Sequence, residues 1–262
     1  MSAVRQRFPA SPPFDLERAV RDAFDSLKAG CKPDAKIAVA VGSRGITRLA
    51  GIVKALLDLL REAGARPCIL PAMGSHGGAT SEGQKRILAD YGITEQDLDV
   101  PIHAAMDTRS LGTTGDGLEL FFSSVAMEMD AIILVNRVKP HTDFAGSLGS
   151  GLLKMLVVGL GKREGAAQYH AASSRLGYEA ALRSLGSGLL ARTPVLGGLA
   201  ILEDPFHQPV RIEGARKNDL PAREEELLRE AARLMPRLPF DDIDLLIVDR
   251  IGKNISGTGM DP

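Results

Sequence analysis

The chain has 262 residues, 44% of them apolar and 25% charged, with a formal net charge of −1. That length serves one large α/β core or two small ones, and the balanced charge leaves no electrostatic footprint for nucleic acid or an anionic membrane. Two cysteines, Cys31 and Cys68, far apart and in no CxxC pair, argue against a disulfide framework and against a zinc knuckle. Residues 1–13 are polar and contain proline, with no apolar core of a secretory signal. The longest apolar runs fall short of a bilayer span, so a cytoplasmic chain without membrane partners is expected.

In chain order, residues 15–29 carry apolar side chains at helical spacing (Leu16, Ala19, Val20, Ala23, Phe24, Leu27), and Gly30 supplies a stop. Residues 37–41 read as a buried strand that breaks at Gly42-Ser43-Arg44-Gly45 and opens a helix over 47–63. A second strand at 67–70 runs into Met73-Gly74-Ser75-His76-Gly77-Gly78-Ala79-Thr80 and a helix to Asp90, with Thr80 as a cap. A strand, a Gly-rich loop and a helix, given twice, predict a doubly wound parallel sheet. Short strands are predicted at 100–104 and 118–122, and a buried one at 131–135. Residues 152–160 and 165–186 read as helices, with Gly159 and Gly161 interrupting. Strands follow at 196–202 and 209–213 around an Asp204-Pro205 turn, then an amphipathic helix at 220–235 whose Glu and Arg residues suggest a solvated face. A last strand is predicted at 243–248, before a Gly-rich loop over 251–262.

The densest chemistry lies at Arg137-Val138-Lys139-Pro140-His141-Thr142-Asp143-Phe144-Ala145-Gly146 and Ser150-Gly151-Leu152-Leu153-Lys154. Pro140 cannot extend a central strand and turns Lys139 away from helix, which sets His141 on a loop at the strand's C-terminal end. Open α/β sheets bind their ligands at that edge. Imidazole, with its pKa near neutrality, is the commonest general acid or base. His76, between glycines on another strand-end loop, makes a pair with His141 that would suit proton transfer on two faces of a substrate; each alone also reads as a structural residue. The Gly-rich loops match neither the dinucleotide nor the P-loop fingerprint and read equally as anion cradles or as tight turns. Arg44 favours the anion, through its bidentate guanidinium. Lys154, among Leu152, Leu153, Met155 and Leu156, is a nucleophile if its setting is apolar and a surface lysine if it faces out. His170, with no cysteine or second histidine nearby, cannot make a protein-only zinc site, although a metal held mainly by a cofactor needs one protein ligand. His103 and His207 read as structural or surface residues.

Taken together, Gly42-Ser43-Arg44-Gly45-Ile46, Gly74-Ser75-His76-Gly77-Gly78-Ala79-Thr80, Lys139-Pro140-His141 through Lys154, and Gln168-Tyr169-His170 resemble the N-terminal domain of the nickel-dependent lactate racemase (LarA-like) family. The order and spacing of His76, His141, Lys154 and His170 carry the resemblance. It implies a Rossmann-like α/β fold with helices on both faces of a largely parallel sheet. It also implies a nickel pincer nucleotide, a pyridinium mononucleotide whose two sulfur-bearing arms hold the metal. Lys154 would be the lysine joined to that cofactor through a thioamide, His170 the protein's nickel ligand, and His76 and His141 the acid/base pair. Gly42, Ser43 and Gly45 would contribute to cofactor binding, and Arg44 to binding the substrate carboxylate. The implied reaction is racemisation or epimerisation of a small 2-hydroxy acid by hydride transfer, which avoids a Cα carbanion while the cofactor carries the hard step. Cofactor-synthesis enzymes are the implied partners, and a homo-oligomer is left open. A longer His141–Lys154 spacing, with Leu148, Leu152 and Leu153 in place of smaller residues, suggests a divergent subgroup. Residues 1–250 are expected to form the cofactor domain, and 251–262 the start of a loop to a second domain that the chain lacks. Two alternatives remain at this point: an incomplete nucleotide- or anion-binding module of the same fold, and a phosphate-substrate enzyme using the two histidines without metal.

Overall fold

Strands buried on both faces build the sheet. The computed structural model describes residues 3–8, 11–42, 45–141, 146–240 and 242–252. Strands β1 (Lys36–Val41), β2 (Arg66–Pro71), β5 (Ala131–Arg137), β6 (Val195–Glu203) and β7 (Pro209–Arg216) form one sheet in the order β2-β1-β5-β6-β7. The first three pairings in that order are parallel, and β7 closes the sheet antiparallel to β6. Successive side chains on a strand face opposite ways, and both faces here are apolar. Ile37, Val39, Val41, Ile133 and Val135 pack in one core with helices α1 (Leu16–Asp25) and α2 (Leu49–Glu62). Ala38, Ala40, Ile132, Leu134 and Ala200 pack in the other, under helices α6 (Lys162–Leu176), α7 (Tyr178–Arg192) and α8 (Leu220–Leu234). The result is the expected α/β sandwich with helices on both faces.

Between β2 and β5 the chain forms α3 (Ser81–Asp90), the short α4 (Glu95–Leu98) and an antiparallel hairpin of β3 (Thr108–Thr113) and β4 (Glu119–Ser123). The Thr80 hydroxyl caps α3 by accepting the Gly83 N–H, as its composition suggested. After β5, a single helical turn α5 (Leu152–Lys154) runs into a π-turn over Met155–Gly159, closed by Leu160 N–H donating to the Met155 carbonyl at 2.9 Å.

Several expectations need correction. The strand predicted at 100–104 is a single bridge between Ile69 and Ile102 beside β2, and a strand that reading missed, β3, pairs with β4 instead. The helix predicted over 165–186 is two helices, because Gly177 at φ 83° turns the backbone out of helix between Leu176 and Tyr178. Residues 243–248 form no strand. A strand exists only where a neighbour takes its backbone hydrogen bonds, and among the described residues none pairs with this run, whose Leu245 and Ile247 are 76% and 78% exposed. Helix α8 is also less solvated than its charges imply: Glu224 is buried on the same stripe as Leu220, Leu227, Leu228 and Ala231. Among the described residues no helix is long and apolar enough to cross a membrane.

Candidate functional site

Strand order decides where a ligand could enter. The chain passes from β1 to β2 on one side and later returns to β5 on the other side of β1. A crevice at the C-terminal ends of the strands belongs to such a switch point. The loop after β2 carries His76, the loop after β5 carries His141, and β1 lies between them with Gly42 directly after its end. At about 4.8 Å per strand spacing, the ends of β2 and β5 stand roughly 10 Å apart, with β1 between them.

Each loop is tied to the segment that carries Lys154. Lys139 and Ser150 exchange backbone hydrogen bonds (2.8 and 2.9 Å), which closes the His141 loop directly before α5. Gly74 N–H donates to the Gly159 carbonyl at 3.1 Å, so the His76 loop rests on the π-turn after Lys154. Gly159 permits this approach, since a Cβ there would stand 2.5 Å from the Ala72 carbonyl oxygen. Met155 Cε lies 3.0 Å from where a Cβ on Gly42 would stand, so the β1 loop meets the same turn. Gly45 is exposed and donates its N–H to the Tyr91 hydroxyl at 3.0 Å. Its carbonyl accepts from Arg137, which ion-pairs with the buried Glu203; Glu203 in turn accepts Thr47 N–H at 2.9 Å. Ser43 and Arg44 lie outside the described residues, as do residues 142–145 and 253–262.

His141 and His170 are linked by a row of rings. The His141 imidazole stacks on Tyr178 (centroids 6.2 Å apart, planes 22° apart), Tyr178 meets Tyr169 at 6.4 Å, and Tyr169 meets His170 at 5.6 Å. Tyr178 begins α7 directly after the Gly177 break, and Tyr169 and His170 sit on α6. The Tyr169 hydroxyl is buried without a hydrogen-bond partner among the described residues, and burial raises its pKa to about 12. His76, His141 and Lys154 are partly exposed and His170 is exposed, so all four are accessible from solvent. His103 and His207 are exposed, and His207 approaches Glu203 at 3.8 Å. Among the described residues no three His, Cys, Asp or Glu side chains gather as a metal site.

The chain holds two further buried charges there that the sequence reading missed. One is Lys162, at the start of α6. The Glu224 carboxylate meets the start of α5, accepting Leu153 N–H at 2.9 Å and bonding the Leu152 N–H, where a helix leaves its first N–H groups without intrahelical partners. Its other oxygen is buried without a partner among the described residues, and burial raises its pKa from 4.5 to about 7. A folded-state value above the unfolded one means that the fold holds a proton the unfolded chain releases. The contribution is therefore complete below about pH 4.5 and is lost as pH rises through about 7. Glu224→Gln keeps an acceptor for Leu153 N–H without that proton linkage. Urea unfolding should show the wild type losing stability relative to the variant between pH 4.5 and 7; parallel pH curves would refute the linkage. Gly151→Ala places a methyl on the same carboxylate and should cost roughly 1–3 kcal/mol, read in the same experiment.

Residues 11–180 match the protein family described as "Lactate racemase N-terminal domain". In structure the chain is similar to the lactate racemase apoprotein from Thermoanaerobacterium thermosaccharolyticum, with a TM-score of 0.60 and 16% identity, over 81% of this chain and 54% of that one. At that identity the likeness speaks for the fold alone, and the chain spans about half the length of that protein. There is no significant match among curated proteins.

Proposed function

Because the chain belongs to the lactate racemase N-terminal domain family, we propose that it binds a nickel pincer nucleotide and serves in a racemase or epimerase of a small 2-hydroxy acid. The observation that carries this reading is the gathering of the His76 and His141 loops on the stretch of chain from α5, which holds Lys154, through the π-turn to α6, which holds His170. The donor set suits such a group. Lys154 is a partly exposed amine for covalent attachment, and His170 offers one imidazole to a metal that its organic ligand already holds. The unpartnered Tyr169 hydroxyl between the rings gives a buried polar atom for a ligand to satisfy. When bound, the cofactor supplies a hydride acceptor.

The protein's own part is position and protons. One imidazole takes the proton of the substrate hydroxyl and the other returns a proton on the opposite face, so each must cycle near neutral pH. Arg44 and the Gly42–Gly45 loop are the proposed carboxylate and cofactor contacts. The test is to make the chain together with the cofactor-synthesis enzymes and to follow single enantiomers of 2-hydroxy acids by chiral chromatography. Interconversion lost on His170→Ala and on nickel chelation supports the reading; interconversion that survives both contradicts it. A second reading is a module that holds the cofactor without turnover. Cofactor on Lys154 without interconversion selects it.

A further inference from the structure

Lys162 opens α6, eight residues after Lys154, and is 1% exposed. Its Nζ donates to the carbonyl of Pro71, the last residue of β2, at 2.7 Å and to Gln84 Oε1 on α3 at 3.2 Å. Gln84, fully buried, passes the restraint on: its Nε2 donates to the carbonyls of Gly74 (2.8 Å) and His76 (3.4 Å). One amine thus braces the end of β2 and, through one amide, two carbonyls of the loop that carries His76. The same loop is fixed to the π-turn by the Gly74–Gly159 hydrogen bond.

Neither backbone nor solvation favours a lysine there. Its φ is +55°, a left-handed conformation that costs a side-chain-bearing residue about 1 kcal/mol and that glycine would adopt without strain. Burial lowers its pKa to about 8, so keeping the ammonium is unfavourable as well. A strained, desolvated lysine persists where its hydrogen bonds over-determine the position, and here they end on the His76 loop.

We propose that Lys162 is a positioning residue that, through Gln84, holds the His76 imidazole in register with the helix bearing Lys154. This rests on the reading of His76 as one of the acid/base pair. Lys162 itself is closed to ligands and touches no reacting atom.

The test uses the chain with ¹³C-labelled histidine, whose five imidazoles give separate ring signals assigned by single His→Gln variants. Lys162→Met keeps the length of the side chain and removes the amine. It should shift the His76 signals and leave those of His103 and His207 in place, with a cooperative urea transition retained. Gln84→Met should shift the same signals, and the double variant should add nothing further, because both residues act along one path. In the cofactor-loaded protein kcat should fall on the order of 10- to 100-fold with KM unchanged. Unmoved His76 signals in Lys162→Met, or additive shifts in the double variant, would overturn the proposal; if Lys162→Met does not fold, unmoved His76 signals in Gln84→Met do so. The ring signals need no cofactor. A protein that never acquires cofactor but shows the shifts refutes the enzymatic reading and leaves the bracing intact.

Discussion

His76→Ala and His141→Ala should each lower stereoinversion by roughly 10²- to 10⁴-fold, the usual contribution of a positioned acid or base, while cofactor on Lys154 is retained. The strand order gives the reason. The loops that carry the two histidines follow β2 and β5, the strands that flank β1, and on the proposed mechanism one turnover uses both imidazoles. Both variants should therefore lose interconversion, whereas a single base would leave one of them active. His141 should be the more sensitive to its surroundings, since its ring lies against Tyr178. Chiral chromatography from each pure enantiomer, with intact mass measured on the same preparation, checks both halves. Retained interconversion in either variant contradicts the assigned roles.

Lys154→Ala should carry no cofactor at all, an all-or-none effect larger than any change in rate. Two lysines on this segment invite attachment, and the fold separates them. Lys154 is partly exposed where the loops after β1, β2 and β5 meet, whereas Lys162 is sealed beneath α3 with its amine on Pro71 and Gln84. A depressed pKa alone would favour Lys162 as a nucleophile; access decides for Lys154. Lys162→Met should therefore still be modified. Intact mass of both variants, made beside the synthesis enzymes, gives the comparison.

Much of this was legible in the sequence, for local reasons. The apolar run at 131–135 gave β5, and Pro140 after it placed His141 on a strand-end loop. Thr80 marked the start of α3. The order and spacing of His76, His141, Lys154 and His170 carried the family resemblance, and the family is the one that residues 11–180 match. What stayed hidden depends on contacts distant in sequence. Lys162 bonds partners 91 and 78 residues away, and locally it looks like a helix interruption after Gly159-Leu160-Gly161. Glu224 disappears among Arg223, Glu225 and Glu226, although its four-residue step from Leu220 puts it on the buried stripe and was readable as such. β3 has few apolar residues because its side chains are largely exposed, so burial periodicity could not signal it. At 243–248 the pattern misled in the other direction, since apolar alternation predicts a strand but cannot supply its neighbour.

The central claim is that one organometallic group sits among these four side chains, joined to the protein at a single amine. Peptide mapping by mass spectrometry of the chain produced with the cofactor-synthesis enzymes, with nickel quantified on the same sample, tests it most directly. The account predicts an added mass on the peptide containing Lys154, about one nickel per modified chain, and loss of that nickel in His170→Ala. An unmodified Lys154, or the added mass on Lys162 instead, would contradict it.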